Sequence, residues 1–587
     1  MAFLSNLSQS AKKSLQRFPL VSIIAIFGSL LLISILSVSN DLSNFQPLLM
    51  VLTLSVSWLV GCQFLSESLK HNNLNRFVFK VVILLGLTLF YFYLSSLNQD
   101  LPQQAYDRWL LLLLAGHLFV VFSPFTFMWD KGLFWNYLKS MLLATIRSGI
   151  YAIVLYIGLA LAIAAFDFLL NLDLGDNIYF QTFIFCLGIV NTFVYLHDFP
   201  KVEQLDKRIN FTKPTEVLIV YILIPLSLLY ILIVYTYAIK ILIDWELPNG
   251  WVTYLISGLS LLAFLIHIGI EPVRHKHDSV LITKFFPYYF FAIIPLLPLL
   301  FIALIKRISD YNFTELRYLG VVLAIWITGI LFYMLFSGKK RLSFYPKSIF
   351  ILVLLCTFGP LSAFKISLQA QIDEFAEIME NLEAKDKQTF SLEEYDRFSS
   401  IVKYLDYRDR LQKTEAFLGF NPKELFSETS SYSMPKKIVN QLNIQVLDKV
   451  FKNSGSRFYY KLKNFEVDFA EEITTYTNFT ILNLDKEIDE TKGLQLFYDE
   501  KNVISFMNYG ETLMEYDMNS HLNAMANKYD NINKASQDEF TFRFKNENGD
   551  FLIIFENLSF SNANKQVDIN RGKAMLFYKT FSSLELP

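Results

Sequence analysis

Cysteine is scarce in this chain: three in 587 residues, Cys62, Cys186 and Cys356. Each stands alone in an apolar run, which excludes a disulfide framework and any spaced cysteine zinc site. Charge is scarce too. Asp, Glu, Lys and Arg make up 18% of the residues, where ordinary soluble proteins carry about 25%. The formal net charge of −2 implies no general attraction to nucleic acid. Enzyme signatures are missing as well. No P-loop, G-x-S-x-G or H-E-x-x-H occurs, so nothing marks an ATP-driven pump, a serine hydrolase or a zinc protease, and no cofactor is expected.

What abounds is apolar surface. Hydrophobic residues reach 53%, and there are 56 Phe and 31 Tyr. A bilayer core accepts about 20 apolar residues as a helix. Eleven such runs are present: Leu20–Val38, Pro47–Leu65, Phe77–Leu97, Trp109–Met128, Gly149–Leu170, Ile178–Leu196, Val217–Ile239, Trp251–Ile270, Phe285–Ile305, Leu319–Phe336 and Ser348–Phe364. They are apolar all round, as lipid requires. The first is too long for a cleaved signal peptide and lacks a small-x-small site after it, so it reads as an anchor. Ahead of it, Leu4, Leu7, Ala11 and Leu15 recur at helical spacing beside Lys12 and Lys13, the pattern of a short interfacial helix.

The small net charge hides a split. Residues 1–365 hold 26 Lys and Arg against 18 Asp and Glu, whereas residues 366–587 hold 26 against 36. With the N-terminus in the cytoplasm, 20 of the basic residues of the first part fall in inside segments and six in outside ones. The six outside are Arg108, Lys240, Lys306, Arg307, Arg317 and Lys365. Every inside segment carries at least three, which sets the orientation. An odd number of spans then leaves the acidic last third outside the cytoplasm.

That last third reads first as helix, then as strand. Leu368, Ile372, Phe375, Met379 and Leu382 form one stripe. Ser391 and Glu394 form a capping box, and Tyr395, Phe398, Val402 and Leu405 continue a second helix. Further on, Leu494–Tyr498 and Val503–Met507 flank a turn. Phe542 and Phe544 lead through Asn548-Gly549 to Phe551–Phe555, a hairpin signal. Ala574–Tyr578 supplies another strand. The expected fold is an all-α polytopic membrane domain followed by an extracytoplasmic α+β domain. Its expected divisions are residues 1–19 (interfacial helix), 20–365 (about 11 spans), 366–420 (helical hairpin) and 421–587 (strand-rich domain).

Few residues carry candidate chemistry. His267, Glu271, His275 and His277 cluster at one end of the eighth span, and His and carboxylate ligands can hold a divalent metal. Against this, Pro272 interrupts the helix, and a polar boundary loop explains the same residues. His117 lies near the middle of the fourth span, where an ionisable group is a functional candidate. Asn191 in the sixth span is a weaker one. Pro225 in the seventh span, with Pro295 and Pro298 in the ninth, would free backbone carbonyls. In transporters such breaks bind substrate or ions, and in other membrane helices they are structural kinks.

At the membrane exit the chain reads Phe358-Gly359-Pro360-Leu361-Ser362-Ala363-Phe364, followed by Ser391-Leu392-Glu393-Glu394 and Ile401-Val402-Lys403-Tyr404-Leu405. With Arg17-Phe18-Pro19, this resembles a family of uncharacterised bacterial multi-span proteins catalogued as a domain of unknown function. The resemblance implies a bacterial cytoplasmic membrane and brings no catalytic residues. The expected role is a non-enzymatic envelope scaffold, assembly or sensing component. Its neighbours would be the bilayer and an envelope protein met by residues 366–587, with no nucleic acid. A secondary transporter is the alternative, and an enzyme acting on a lipid-linked substrate the third.

Overall fold

The structure is a computed structural model. It describes residues 12–38, 42–69, 73–97, 101–170, 174–244, 251–274, 279–338, 340–384, 389–426, 430–446, 456–461, 473, 475–483, 489–491, 494–498, 503–508, 511–528, 535–546, 548–563 and 566–580. The chain forms two compact units. One comprises Met1–Ala384 with Arg397–Gln441; the other comprises Lys385–Asp396 with Leu442–Pro587.

The first unit is a polytopic helical membrane domain. Among the described residues, ten helices are long and apolar enough to cross a bilayer. They are Pro19–Val38, Ser43–Ser68, Leu74–Ser95, Gln103–Phe125, Lys131–Leu170, Asn177–Asp198, Lys213–Asp244, Val252–Ile270, Tyr288–Tyr311 and Glu315–Phe336. A shorter apolar helix, Phe344–Thr357, takes the eleventh place. It stops where Gly359 adopts a positive φ of 83° and Pro360 withdraws a donor. The helix Ala363–Glu383 then begins.

Two spans depart most from the bounds the sequence suggests. The fifth helix starts at Lys131 rather than Gly149 and runs 40 residues, about 60 Å at 1.5 Å per residue. That is twice the hydrocarbon thickness of a bilayer. Its first turns are buried through Phe134, Trp135 and Tyr137. The ninth is two helices, Val280–Ile293 and Leu296–Tyr311, interrupted at Ile294 and Pro295.

Helix ends gather into two rims. At the rim where the first span begins, helical turns over residues 12–17 lead into it. There Lys139 Nζ donates to Asn210 O (2.7 Å), Arg147 pairs with Asp198 (2.8 Å) and Lys347 Nζ donates to Phe125 O (2.6 Å). At the opposite rim, Gln46 donates to Tyr106 (2.5 Å), Leu174 N–H donates to Asp167 (2.9 Å) and Tyr318 OH donates to Leu361 O (2.9 Å). This is the alternation that up-and-down threading produces.

The second unit is strand-rich. Its larger sheet runs Ser456–Lys461, Gly549–Ala563, Gln566–Thr580, Asn478–Asn483, with Thr541–Asn546 also pairing Gly549–Ala563. Phe551, Ile553, Phe555, Leu558 and Phe560 from one strand pack with Ala574, Leu576 and Tyr578 from the next. A second sheet orders Asp489–Thr491, Leu494–Tyr498, Val503–Asn508 and Glu511–Asp517, all antiparallel. The hairpin expected at Asn548-Gly549 closes one residue earlier. Gly549 already pairs with Asn546, because Asn546 Oδ1 accepts from the N–H groups of Asn548 (2.9 Å) and Gly549 (3.0 Å). The Ser391 capping box forms as read: Ser391 N–H donates to Glu394 (2.8 Å) and Glu394 N–H to Ser391 Oγ (3.3 Å).

Candidate functional site

A concave polar volume of about 1200 Å³ opens at the rim where the first span begins. Five stretches of chain build it: residues 13–17, 63–68, 76–80, 124–133 and 196–207. One ion pair fixes its wall. Arg17 grips Glu67 with two nitrogens, each at 2.9 Å. The same guanidinium donates to Phe199 O (2.7 Å) and Pro200 O (3.1 Å), and lies over the rings of Phe18 and Phe64. Such a fork ties three segments at once, which an ammonium could not do.

Beside the eighth span, His267 and Glu271 do come together. His267 is fully buried; its Nδ1 meets Tyr345 OH at 2.7 Å and its Nε2 lies 3.5 Å from Glu271. Glu271 also faces Lys131 (3.5 Å) and Arg274 (3.6 Å). Burial pushes the carboxyl up, but the His267 ring and the two cations outweigh it and hold the pKa at about 2. Cations, rather than further ligands, surround this carboxylate. No group of three or more His, Cys, Asp or Glu suited to a metal occurs among the described residues. His275 and His277 lie outside the described residues.

The remaining sequence candidates are dispersed. His117 is exposed on its helix, with Nδ1 2.8 Å from Leu113 O of the same helix. Asn191 closes a π-helical turn, Phe185–Asn191, and its Oδ1 is buried without a hydrogen bond among the described residues. Pro225 follows another π turn, Val217–Leu223. A proline offers no N–H to the carbonyl four residues back, and the preceding turn widens. Pro295 marks the break in the ninth span and Pro298 sits in the first turn after it. The carbonyl of Ala292 beside that break is taken by Tyr235 OH at 2.6 Å.

The opposite rim holds a constellation that sequence reading missed. Arg408 pairs with Asp107 (2.5 Å) and with Glu315 (3.1 Å), and Tyr404 OH donates to Glu315 (3.0 Å). Arg408 and Glu315 are buried. Burial disfavours the guanidinium charge, but the hydrogen bond to Asp107 and the two carboxylates prevail and raise its pKa further. Burial and the Glu315 charge push the Tyr404 hydroxyl up. Alongside, Gln371 Nε2 donates to Tyr311 O and Phe313 O, and Arg397 donates to Ser309 O. The exit helices are thereby tied to the fourth, ninth and tenth spans. The available signal was an acid in the first turns of two spans, which calls for a partner without saying where it lies.

Residues 18–376 match a domain of unknown function, DUF4153. The chain belongs to the DUF4153 family. The matched stretch holds Glu67, Lys80, His267, Glu271, Asp107 and Glu315, but ends before Tyr404 and Arg408. The acidic half of the rim clamp is therefore inside the DUF4153 stretch and the basic half beyond it. An uncharacterized protein of Pasteurella multocida (strain Pm70) is 28% identical over 254 residues, 43% of this chain. The chain spans 42% of the length of that curated relative. No solved structure matches the chain.

Proposed function

We propose that this DUF4153 protein is a non-enzymatic component of the bacterial envelope, acting as a scaffold, assembly factor or sensor. In this reading it resides in the cytoplasmic membrane with the N-terminus in the cytoplasm and the C-terminal domain outside. The basic bias of one rim supports the orientation, because Lys and Arg are retained on the cytoplasmic side. The observation that carries the role is the buried clamp of Arg408 on Asp107 and Glu315. It makes the emerging helices a fixed continuation of the bundle, which suits a platform that presents a surface to an envelope protein. Two experiments test this. A phosphatase fused after Pro587 should be active, and a fluorescent protein there should be dark. Photocrosslinkers placed in residues 442–587 should trap a discrete envelope protein; no adduct at any position would overturn the role.

A secondary transporter is the second reading, favoured by the π turns in the sixth and seventh spans and the break in the ninth. Uptake or efflux by the protein in reconstituted vesicles would establish it.

A further inference from the structure

We propose that the basin at the first-span rim is a binding site for a phosphate-bearing anion, with Lys80 and Lys207 among the groups that hold it. Six cations line the volume, Lys13, Arg17, Arg76, Lys80, Lys201 and Lys207, against Glu67 and Glu203. Arg17 and Glu67 neutralise each other at 2.9 Å. The side-chain ammonium groups of Lys13, Lys80, Lys201 and Lys207 make no ion pair or hydrogen bond among the described residues. Arg76 uses only its Nε, on Leu69 O at 2.9 Å. Cations gathered from three chain stretches around one hollow raise the local potential and concentrate anions. Phosphate suits them, since each of its oxygens accepts a charge-assisted hydrogen bond. The wall is set before any ligand arrives, because the Arg17 fork already joins the segments carrying Glu67, Phe199 and Pro200.

A second feature narrows the class. A cavity of about 30 Å³ adjoins the basin and shares Gln63 and Lys80 with it. Its other walls are apolar, from Phe18, Pro19, Leu20, Val21, Leu59 and Cys62. Leu20 is 41% exposed on the first span. Lys80 thus stands between a polar hollow and an apolar notch at the start of a span. A phospholipid has that division of chemistry, with a charged phosphate at the end of an apolar chain. A soluble phosphate compound would use the basin alone. Phosphate recognition is common to both.

The test uses the full chain in nanodiscs and in lipid-free detergent. One arm compares phosphatidylcholine discs with discs containing phosphatidylglycerol, followed by native mass spectrometry of the released protein. A second adds inorganic phosphate or pyrophosphate to the detergent sample and measures binding by calorimetry. A Lys80→Ala/Lys207→Ala variant is compared with Lys306→Ala/Lys573→Ala, which removes the same charge elsewhere. Circular dichroism confirms that both variants fold. The expected result is retention of phosphatidylglycerol, or binding of the soluble phosphates, that only the basin variant weakens. The loss should be about tenfold or more, the scale of one charge-assisted hydrogen bond. Retention in the first arm alone identifies a lipid headgroup, and binding in the second identifies a soluble compound. Equal binding by the wild type and both variants, or no binding in either arm, overturns the proposal.

Discussion

Arg408 lies 2.5 Å from Asp107, although 301 positions separate them in the chain. Glu315 completes the contact from a third segment, at 3.1 Å. Breaking such a buried group from one side leaves a charge without compensation, which costs about 3–5 kcal/mol. Arg408→Ala is therefore expected to lower the melting temperature in detergent sharply and to open residues 397–441 to protease. Arg408→Lys should recover only part, since an ammonium cannot span both carboxylates as the fork does. The triple variant Asp107→Asn/Glu315→Gln/Arg408→Met should melt close to the wild type, because no charge is then left buried. A single Arg408→Ala variant as stable as the wild type would refute the clamp.

Glu271 gives the bundle a pH dependence. Its folded-state pKa of about 2 lies below the ordinary carboxylate value of 4.5. A depressed carboxylate contributes stability that is fully present above its unfolded value and is lost as the pH falls through the folded one. The loss should therefore develop between pH 4.5 and about 2, with an upper limit of about 3 kcal/mol at 1.36 kcal/mol per unit. Thermal melts across that interval should flatten in Glu271→Gln. An unchanged slope would mean that His267, Lys131 and Arg274 do not hold the carboxylate as described.

The membrane spans were legible because lipid imposes a length and a composition that few other settings require. The alternation of helix ends between two rims follows from the same runs, since each span carries the chain from one rim to the other. The early start of the fifth helix was not, because Lys139 and Arg147 interrupt the apolar count while the backbone stays helical. Three prolines crowd the ninth span, and only the structure shows that the chain breaks at Pro295. The basin and the clamp were invisible for a different reason. Each is assembled from segments distant in sequence, and no local pattern records which cation meets which acid. His267 and Glu271 were found because they sit four apart on one helix.

Close helix approach supplies another check. A Cβ on Gly188 would fall 2.1 Å from Ser29 Oγ, so the first and sixth spans touch where only glycine fits. Gly188→Ala should destabilise the bundle by about 1–3 kcal/mol through overpacking. Adding Ser29→Gly removes the obstructing side chain and should restore most of the loss. Failure of that second change to rescue, with Gly188→Ala clearly destabilised, would show that the two residues do not meet.

The break in the ninth span separates the two functional readings. If the interrupted helix existed to coordinate a transported solute, its freed carbonyls would face a solute path. Instead the Ala292 carbonyl accepts from Tyr235 at 2.6 Å, which serves the backbone as a protein donor. Tyr235→Phe removes that donor from a carbonyl that water cannot readily reach, at a cost of about 1–3 kcal/mol. The expected outcome is a lower melting temperature and faster hydrogen exchange around Leu296 and Leu297, with no change in solute flux in vesicles. His117→Ala should stay within about 0.5 kcal/mol of the wild type, because that ring is exposed and, among the described residues, bonds only its own helix. Solute flux in the wild type that either substitution abolishes would instead make these residues part of a transport path, and the scaffold reading would give way to it.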